Sequence, residues 1–553
     1  MRPASISSRL LALAWALLAA ACGLGERDDV LVLVRADDPI SQRVGALYAE
    51  RRGVPDENVL ALPISGPHDG APIDPEAFEN EIARPIESHL AAHDPDGEIS
   101  ILVTTTGIPL RIGRCSRSEP LYPRDCRSAA VDAALAGLGR LSPTAEPLES
   151  HPNPFFGDPR SFDTFRREMP GSRLRFLVAR LTAPRTPIDG RGDVPRALRA
   201  LLEADASDAR EGPPLWWILA DAPPGERTAA SAALFDPIGA LLDASDHRVC
   251  DGCDLDAGID AASGVVLQRA TTAAAGSGRT RATPASLARA DDGPGAPRLA
   301  PPGLVIALDG PSGGRLDAFV GGWTERGARV FSTHIDDPSL GGVTRPALQL
   351  RAWAEGRSAV EAHFNSVPLL GWVNVFVGDP LLRLAEAGID DDGDRDGDGV
   401  PDAEDNCLDV PNPQQRDSNA DRVGNRCDPD VDDDGRVATS WGRIYPVDAR
   451  GDLEAIALTA RNGPHDPDHD LDGNGRVDPD DLAIAQLWLF RRPGPSGTTT
   501  VAAATTPDTE RGTTLDTVRD TARATAPDTE RDTAQEAGVD DGHEVARSAA
   551  GRD

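Results

Sequence analysis

Thirteen residues, DLDGNGRVDPDDL from Asp470 to Leu482, set the architecture expected for the C-terminal part of this chain. They place oxygen-bearing side chains at positions one, three, five, nine and twelve of a loop, with a glycine at position six. Calcium takes six to eight oxygen ligands, and a glycine at the bend lets carboxylates spaced two apart turn toward one ion. The stretch therefore predicts a calcium loop that enters a helix, LAIAQLWL, directly. The predicted ligands are the side chains of Asp470, Asp472, Asn474, Asp478 and Asp481 and the backbone carbonyl of Arg476.

An altered copy of this unit lies upstream. Its start, DVDDDG at 430–435, repeats the spacing of the first loop, and Asp452 with Leu453 corresponds to Asp481 with Leu482. Eleven extra residues interrupt the copy, so simple counting puts Trp441 at its twelfth position, and calcium binding by this loop is left open. The candidate ligands are Asp430, Asp432, Asp434 and Asp452.

Two further acidic stretches, DRDGDGVPDAEDNC (394–407) and NPQQRDSNADRVGNRCD (412–428), carry the same spacing. A solvated acidic run would have neither the regular period nor the recurring glycine, so calcium is favoured here as well. The candidate ligands are Asp394, Asp396, Asp398, Asp402 and Asp405 in the first stretch, and Asp417, Asn419, Asp421 and Asp428 in the second.

These motifs resemble two known families. Residues 389–429, with Asn406-Cys407 and Cys427-Asp428, resemble thrombospondin type 3 repeats. That resemblance implies a calcium-organised segment with little apolar core, stapled by a Cys407–Cys427 disulfide. Residues 430–492, a pair of loop–helix units ending in aspartate, resemble a dockerin, which implies a cohesin-like protein partner. Without calcium such a segment would repel itself, so ion binding would supply its folding energy.

The formal net charge of −34 argues against a nucleic-acid partner. Over half of that excess lies between Ile389 and Asp481, where 27 acidic residues face nine arginines. After Pro493 the composition changes to Thr, Ala, Asp and Arg, and TTPDTER (505–511) recurs as TAPDTER (525–531). Such a tail, 493–553, buries too little apolar surface to offset its ordering entropy and is expected to be disordered.

The N-terminus predicts export. Residues 1–22 carry a short basic region, an apolar run of 12 residues that is too short to span a bilayer, and the ending Leu18-Ala-Ala-Ala-Cys22. That ending resembles a bacterial lipobox, which implies lipidation of Cys22 and anchoring to a membrane at the cell surface or outer membrane. The alternative is ordinary cleavage nearby and secretion without a lipid.

Six other cysteines form three local candidate pairs. Outside the cytoplasm, local disulfides are the default interpretation. The spacing Cys250-Asp-Gly-Cys253 also occurs in redox and metal motifs, but a structural loop is favoured because no second CxxC or histidine pair accompanies it. The candidate disulfides are Cys115–Cys126, Cys250–Cys253 and Cys407–Cys427.

Residues 29–388 alternate short apolar runs with helical patterns. Runs such as DVLVLV (29–34) and ILVTTTG (101–107) read as buried strands, and 39–52 and 345–365 read as helices. This alternation predicts an α/β domain with a mostly parallel sheet covered on both faces, hence three layers. The Ala-, Gly- and Thr-rich stretch 265–300 is expected to be a long loop.

The α/β part resembles an uncharacterised family of exported bacterial proteins along 30–62, 101–112 and 359–384. That family has no established activity, so the resemblance gives a boundary and no reaction. The ending VGDPLLRL (377–384) is also faintly similar to the close of gingipain-type peptidase domains. No His-Gly precedes a candidate nucleophile here, and the cysteines are better used as disulfides.

Weak catalytic candidates follow the strand runs, because ligands of parallel sheets meet the carboxyl ends of strands. His334 with Asp309 and Asp336 could form an acid–base or metal cluster, although an exposed loop histidine is the commoner case. The leading hypothesis is an exported calcium-binding protein that displays its α/β domain on a calcium-rigidified stalk for adhesion or assembly. Its partner would be a cohesin-like or other surface protein, or a polysaccharide. The alternative is an extracytoplasmic hydrolase of polysaccharide or peptide, docked by the dockerin-like module.

Overall fold

The structure, a computed structural model, describes most of the chain between Arg27 and Thr498. The described residues are 27–66, 72–113, 129–141, 151–186, 194–202, 216–220, 229–244, 248–251, 261–267, 298–308, 316–335, 338, 340–371, 373–383, 393–394, 396, 398–438, 451–489 and 491–498. We refer to 27–383 as the α/β domain and to 393–498 as the C-terminal module.

The strands of the α/β domain form one large sheet and one small ribbon. They are β1 (Val30–Arg35), β2 (Val59–Leu62), β3 (Ile101–Thr105), β4 (Arg111–Ile112), β5 (Ala129–Ala130), β6 (Leu177–Leu181), β7 (Trp216–Ala220), β8 (Arg248–Asp251), β9 (Ala261–Leu267), β10 (Arg298–Ala307), β11 (Val330–His334) and β12 (Asn374–Gly378).

Helices separate most of these strands, and two more helices follow in the C-terminal module. They are α1 (Pro39–Arg52), α2 (Pro75–Phe78), a π-helical turn (Glu79–Ala83), α3 (Arg84–His93), α4 (Val131–Ala136), α5 (Phe162–Glu168), α6 (Arg196–Leu202), α7 (Ala229–Ala244), α8 (Leu316–Glu325), α9 (Pro346–Ala354), α10 (Ala359–Ser366), α11 (Asp452–Asn462) and α12 (Pro479–Leu487). Short 3-10 turns occur at Asp56–Asn58, Leu340–Gly342 and Asn425–Cys427.

The large sheet has ten strands in the order β2-β1-β3-β6-β12-β11-β10-β9-β7-β8. Within it, every neighbouring pair that shares two or more register positions is parallel, except β11 with β12, which is antiparallel. All residues of β1, β3, β6, β11 and β12 are buried. Both faces of the sheet centre are therefore covered, and the expected α/β fold with a mostly parallel sheet is confirmed.

Local sequence explains how the first unit of this sheet forms. Asp38 caps α1 by accepting hydrogen bonds from the backbone N–H groups of Ile40 and Ser41, and Pro39 supplies the fixed φ of the first turn. Gly53 ends the helix in the left-handed conformation, with φ of 70°. Because β1 is followed at once by this capped helix, the crossover to the parallel strand β2 is short.

Two expectations about secondary structure need correction. The stretch 265–300 is not loop throughout, since β9 extends to Leu267 and β10 begins at Arg298. The single helical stretch expected at 345–365 is two helices, α9 and α10, because Gly356 adopts a φ of 85° between them. Among the described residues, no helix has the length and apolar character needed to span a membrane.

The C-terminal module packs on the α/β domain and forms one compact unit with it. Helix α12 contacts α7 and the 3-10 turn at Leu340–Gly342. A side chain at Gly341 would place its Cβ 2.8 Å from the carbonyl oxygen of Gln486, so only glycine allows this approach. Arg345 of the α/β domain also donates to the carbonyl of Leu487, at 2.6 Å. The module is therefore seated on the domain through the end of α12.

Candidate metal centres in the C-terminal module

The loop that begins at Asp470 is folded around its own carboxylates. The N–H of Gly475 donates to Oδ2 of Asp470 at 3.1 Å, and the N–H of Leu471 donates to Oδ1 of Asp481 at 2.7 Å. One carboxylate oxygen from each of Asp470, Asp472 and Asp481 lies within 4.8 Å of the others. The first, third and twelfth positions of the loop thus converge, as ligands of one cation must.

The interrupted loop has the same internal bonds. The N–H of Gly435 donates to Oδ2 of Asp430 at 2.6 Å, and the N–H of Val431 donates to Oδ1 of Asp452 at 2.9 Å. Oxygen atoms of Asp430, Asp432 and Asp452 lie within 4.8 Å of one another. These contacts match, residue for residue, those of the loop that begins at Asp470. Asp452 takes the place of the twelfth ligand.

The position of the extra residues follows from a further pair of bonds. The N–H of Ala438 donates to Oδ2 of Asp452 at 2.7 Å, as the N–H of Asp478 does to Oδ2 of Asp481 at 2.8 Å. Ala438 and Asp478 are the ninth residues of their loops, so the insertion falls between the ninth and twelfth positions. Trp441, twelfth by simple counting, lies outside the described residues, and the structural twelfth position belongs to Asp452.

The two upstream loops share the geometry of the first turn. The N–H of Gly399 donates to Oδ2 of Asp394 at 2.8 Å, and the N–H of Arg422 donates to Oδ2 of Asp417 at 2.9 Å. Oxygens of Asp394, Asp396 and Asp398 again lie within 4.8 Å of one another. All four loops are therefore built on one plan, in which the sixth residue holds the first carboxylate.

The sixth residue of each loop adopts a left-handed backbone. Its φ is 89° at Gly399, 81° at Arg422, 87° at Gly435 and 86° at Gly475. Glycine adopts this conformation without strain, whereas a residue with a Cβ is disfavoured by about 1–2 kcal/mol. The loop that begins at Asp417 is therefore the strained member of the set.

Burial places these carboxylates in an unfavourable electrostatic setting. Asp396 is 1% exposed. Burial, followed by the charges of Asp398 and Asp405, raises its pKa to about 8. Burial likewise raises the pKa of Asp452 to about 6 and that of Asp481 to about 6. Groups that are desolvated beside like charges resist ionisation unless a cation joins them.

Several carboxylate oxygens have no hydrogen-bond donor. Among the described residues, the buried atoms Oδ2 of Asp396, Oδ2 of Asp405 and Oδ1 of Asp470 are without one. A buried polar atom left unpaired is destabilising by about 1–3 kcal/mol, and more when it is charged. These oxygen atoms are therefore candidates to coordinate a cation inside the loops.

The other predicted ligands lie in the same four loops. Asp428, the twelfth residue of the loop that begins at Asp417, is buried, and burial together with the charge of Asp421 raises its pKa to about 7. In the loops that begin at Asp430 and Asp470, the fifth residues, Asp434 and Asn474, are exposed, so an ion can reach them from solvent. The remaining predicted ligands are Asp402, Asn419, Asp432, Asp478 and the carbonyl of Arg476.

Spacing alone did not reveal Arg416 and His465, which contact the first ligand of the last loop. Nη1 of Arg416 is 3.2 Å from Oδ2 of Asp470, and Nε2 of His465 is 3.4 Å from the same atom. Arg416 precedes the loop that begins at Asp417, so it links the upstream and downstream halves of the module. No sequence motif signals this contact.

A disulfide joins the two upstream stretches, 394–407 and 412–428, to each other. Cys407 and Cys427 are both buried, their Sγ atoms are 2.12 Å apart, and 20 residues separate them. Cys250 is disulfide-bonded, but its candidate partner Cys253 lies outside the described residues. The Cys115–Cys126 pair, the signal peptide with Cys22 and the tail from 499 onward also lie outside them.

The structure describes one of the three weak catalytic candidates, His334. His334 ends β11 and is fully buried, so the expectation of an exposed loop histidine was wrong. Its Nε2 is 3.3 Å from Oγ1 of Thr344, and burial lowers its pKa to about 4. Asp309 and Asp336 lie outside the described residues.

A polar cluster at the carboxyl ends of the strands was missed by sequence reasoning. Arg185 makes a two-pronged ion pair with buried Asp38, at 2.6 and 2.7 Å. Thr182, which follows β6, donates to Asp317 at the start of α8, at 2.7 Å. These pairs tie the loops of distant strands together, and only the fold brings them into contact.

Comparison with known proteins gives little further information. No family model matches the sequence, and no curated protein matches it. One solved structure, described as "Structure of Protease", is 10% identical with a TM-score of 0.33, and the match covers 66% of this chain and 81% of that chain. A likeness this distant carries no argument about function.

Proposed function

We propose that the protein binds calcium in the four loops of the C-terminal module, and that these ions hold the module in shape against the α/β domain. The ligands would be carboxylates at the first and twelfth positions and the side-chain oxygen of the third residue, which is an amide at Asn419 and a carboxylate in the other loops. The fifth and ninth residues and the carbonyl of the seventh would assist. All of these are hard oxygen donors, which suit calcium better than softer metals.

One observation carries this proposal. Asp396 and Asp405 are at least 99% buried, and each has an oxygen atom without a hydrogen-bond donor among the described residues. Burying such groups beside other aspartates is unfavourable unless a cation neutralises them. A divalent ion would satisfy the oxygens and remove the repulsion together, so its binding energy would become folding energy of the module.

The biological role proposed with this chemistry is adhesion or assembly outside the cytoplasm. The N-terminal sequence supports export and anchoring through a lipid on Cys22. The likeness of the module to thrombospondin type 3 repeats and to a dockerin supports a surface protein, a cohesin-like protein or a polysaccharide as partner. Because the module packs on the α/β domain, we propose a calcium-locked base rather than a separate stalk.

The hydrolase alternative has less support. It needs a reactive group that a substrate can reach, and His334, its one described candidate, is fully buried. No described contact joins His334 to a carboxylate.

Calcium titration of the full chain tests the proposal. After treatment with a chelator, we expect far-UV circular dichroism to change saturably as calcium is restored, with about four ions bound per chain. Extracellular modules of this type bind calcium at Kd values of ~10⁻⁴–10⁻³ M. Asp481→Asn should remove one ion. A flat signal and no bound calcium at about 10 mM would contradict the proposal.

A further inference from the structure

A cavity lies where the C-terminal module meets the α/β domain. Its volume is about 720 Å³, including the open mouth. The walls come from α7 and α9 on one side, and from α12 and the upstream loops on the other.

Four arginines and two aspartates line the cavity, so it carries an excess of positive charge. Of the aspartates, Asp409 places its Oδ1 3.6 Å from Nη1 of Arg351, and Asp396 belongs to the loop that begins at Asp394. Among the described residues, no carboxylate forms an ion pair with Arg345, Arg426 or Arg491. These three guanidinium groups therefore face the cavity without an ion pair, although the charge of Asp409 in the same lining acts on Arg491.

Two of these groups are also close to each other. Nη2 of Arg345 and Nη2 of Arg491 donate to the same carbonyl oxygen, that of Leu487, at 2.6 and 2.5 Å. Burial lowers the pKa of Arg345 to about 9. Burial and the neighbouring charge of Arg345 lower the pKa of Arg491. Two buried cations side by side repel each other, and an anion between them would relieve that repulsion.

Donors also remain unused at this point. Arg491 is 91% buried, and its Nε has no hydrogen-bond partner among the described residues. The buried Nε of Arg426 is likewise without one. Capping the end of α12 accounts for one bond from each of Arg345 and Arg491, and Arg345 also donates through Nη1 to the carbonyl of Val343. A guanidinium has five donors in a fork that matches a carboxylate, so the cap alone leaves the fork of Arg491 unsatisfied.

The rest of the lining is apolar and aromatic. The guanidinium of Arg491 lies 4.2 Å from the ring centre of Trp488 and 4.8 Å from that of Phe156. Leu234, Pro237 and Ile484 complete the apolar surface. A ligand that fits must therefore combine an anionic end with an apolar body.

We propose that this cavity is a binding site for a small organic carboxylate with an apolar body, whose carboxylate is held by Arg491, Arg345 and Arg426. The site goes beyond the proposed calcium binding and uses different side chains. It also bridges the two parts of the molecule, so a bound ligand would strengthen the contact between them.

Calorimetric titration of the full chain with 4-phenylbutyrate, in buffer containing saturating calcium, tests this site. We expect saturable binding at one site, with the neutral amide of the same acid binding at least about tenfold more weakly, since charge-assisted bonds are the strong ones. Arg491→Gln should weaken binding of the acid by a similar factor. Arg461→Gln, on the exposed surface of α11, is the matched control and should bind as the unaltered chain does.

Arg491→Gln could also loosen α12, so Arg426→Gln provides the second variant. The side chain of Arg426 makes no hydrogen bond or ion pair with another described residue, and its loss should weaken carboxylate binding several-fold at an unchanged melting temperature. Equal affinity for the acid and the amide would overturn the proposal, and so would an absence of saturable binding. Unaltered affinity in both arginine variants would overturn it too.

Discussion

The two parts of the molecule bury carboxylates at similar depth but neutralise them differently. In the α/β domain Asp132 is 3% exposed, and both of its oxygens accept bonds from Arg180, at 2.6 and 2.7 Å. In the C-terminal module Asp396 is 1% exposed, and the charges that raise its pKa most are those of the aspartates Asp398 and Asp405. The first arrangement contains its own counter-charge, and the second does not.

This difference predicts that the two parts respond differently to ions. A carboxylate paired with a guanidinium, as Asp132 is with Arg180, is satisfied by residues of the chain itself. Under the proposed calcium binding the module would instead depend on ions from solution, and its stability should follow their concentration. Variants in each of the two parts test this contrast.

The largest effect should come from breaking the self-contained pair. Asp132→Asn leaves the buried charge of Arg180 uncompensated, and removal of one partner of a buried pair is destabilising by about 3–5 kcal/mol. Urea unfolding of the α/β domain should show this loss equally with calcium and with chelator. Asp96→Asn, at an exposed position, is the matched control. A loss that appears only after chelation would contradict the contrast.

Removing the module's covalent link should have the next largest effect. The 20-residue spacing of Cys407 and Cys427 corresponds to about 3 kcal/mol of loop-closure entropy. In the Cys407→Ser, Cys427→Ser double variant, we expect the module to unfold at higher calcium concentration than before. The strands of the α/β domain should keep their protection from hydrogen exchange. Loss of protection in both parts would mean that they are not separable.

The α/β domain should be sensitive to acid through two buried histidines. Burial, with His334 nearby, lowers the pKa of His363 to about 3, and burial lowers that of His334 to about 4, against an ordinary value of 6.5. The unfolded chain therefore takes up protons first, so stability is full above about pH 6.5 and declines progressively below it. Urea titrations between pH 7 and pH 5 measure the slope.

His363→Gln should make this pH dependence shallower, because one of the two titrating groups is gone. The side chain of His363 is 2.6 Å from Oγ of Ser332, and glutamine can keep that hydrogen bond. A slope that His363→Gln leaves unaltered would assign the acid sensitivity to other groups.

The smallest effect should come from the strained loop. Arg422→Gly relieves the backbone strain of a left-handed residue with φ of 81°. We expect the free energy of calcium binding to become more favourable by about 1 kcal/mol. Gly435→Arg makes the reciprocal change at φ of 87°, where an added Cβ meets nothing within 4 Å. It should weaken binding by a similar amount. Changes of equal sign in the two variants would refute the common plan of the loops.

Sequence predicted the α/β domain well where the signal is local. The apolar run at 30–34 became β1, and the capped helix α1 has the predicted bounds 39–52. The antiparallel direction of β12 could not be predicted, because a buried strand has the same pattern in either direction. The pairing of Arg180 with Asp132 spans 48 residues and has no local signature.

The candidate centres show the same limit. Regular spacing within 12 residues predicted the loops at Asp394 and Asp470, and their carboxylates do converge. Counting failed at the interrupted loop, where the Asp452-Leu453 pair and the hydrogen bonds from Val431 and Ala438 identify Asp452 as the twelfth residue. The histidine of the catalytic hypothesis failed for a related reason, since a residue at a strand end can be buried by elements far along the chain.

Hydrogen-exchange mass spectrometry of the full chain, with calcium and with a chelator, tests the central claim most directly. We predict that chelation removes protection from 393–498, including α11 and α12, and leaves β1, β3 and β6 protected. Equal protection of 393–498 in both conditions would contradict the claim that bound ions hold this module together.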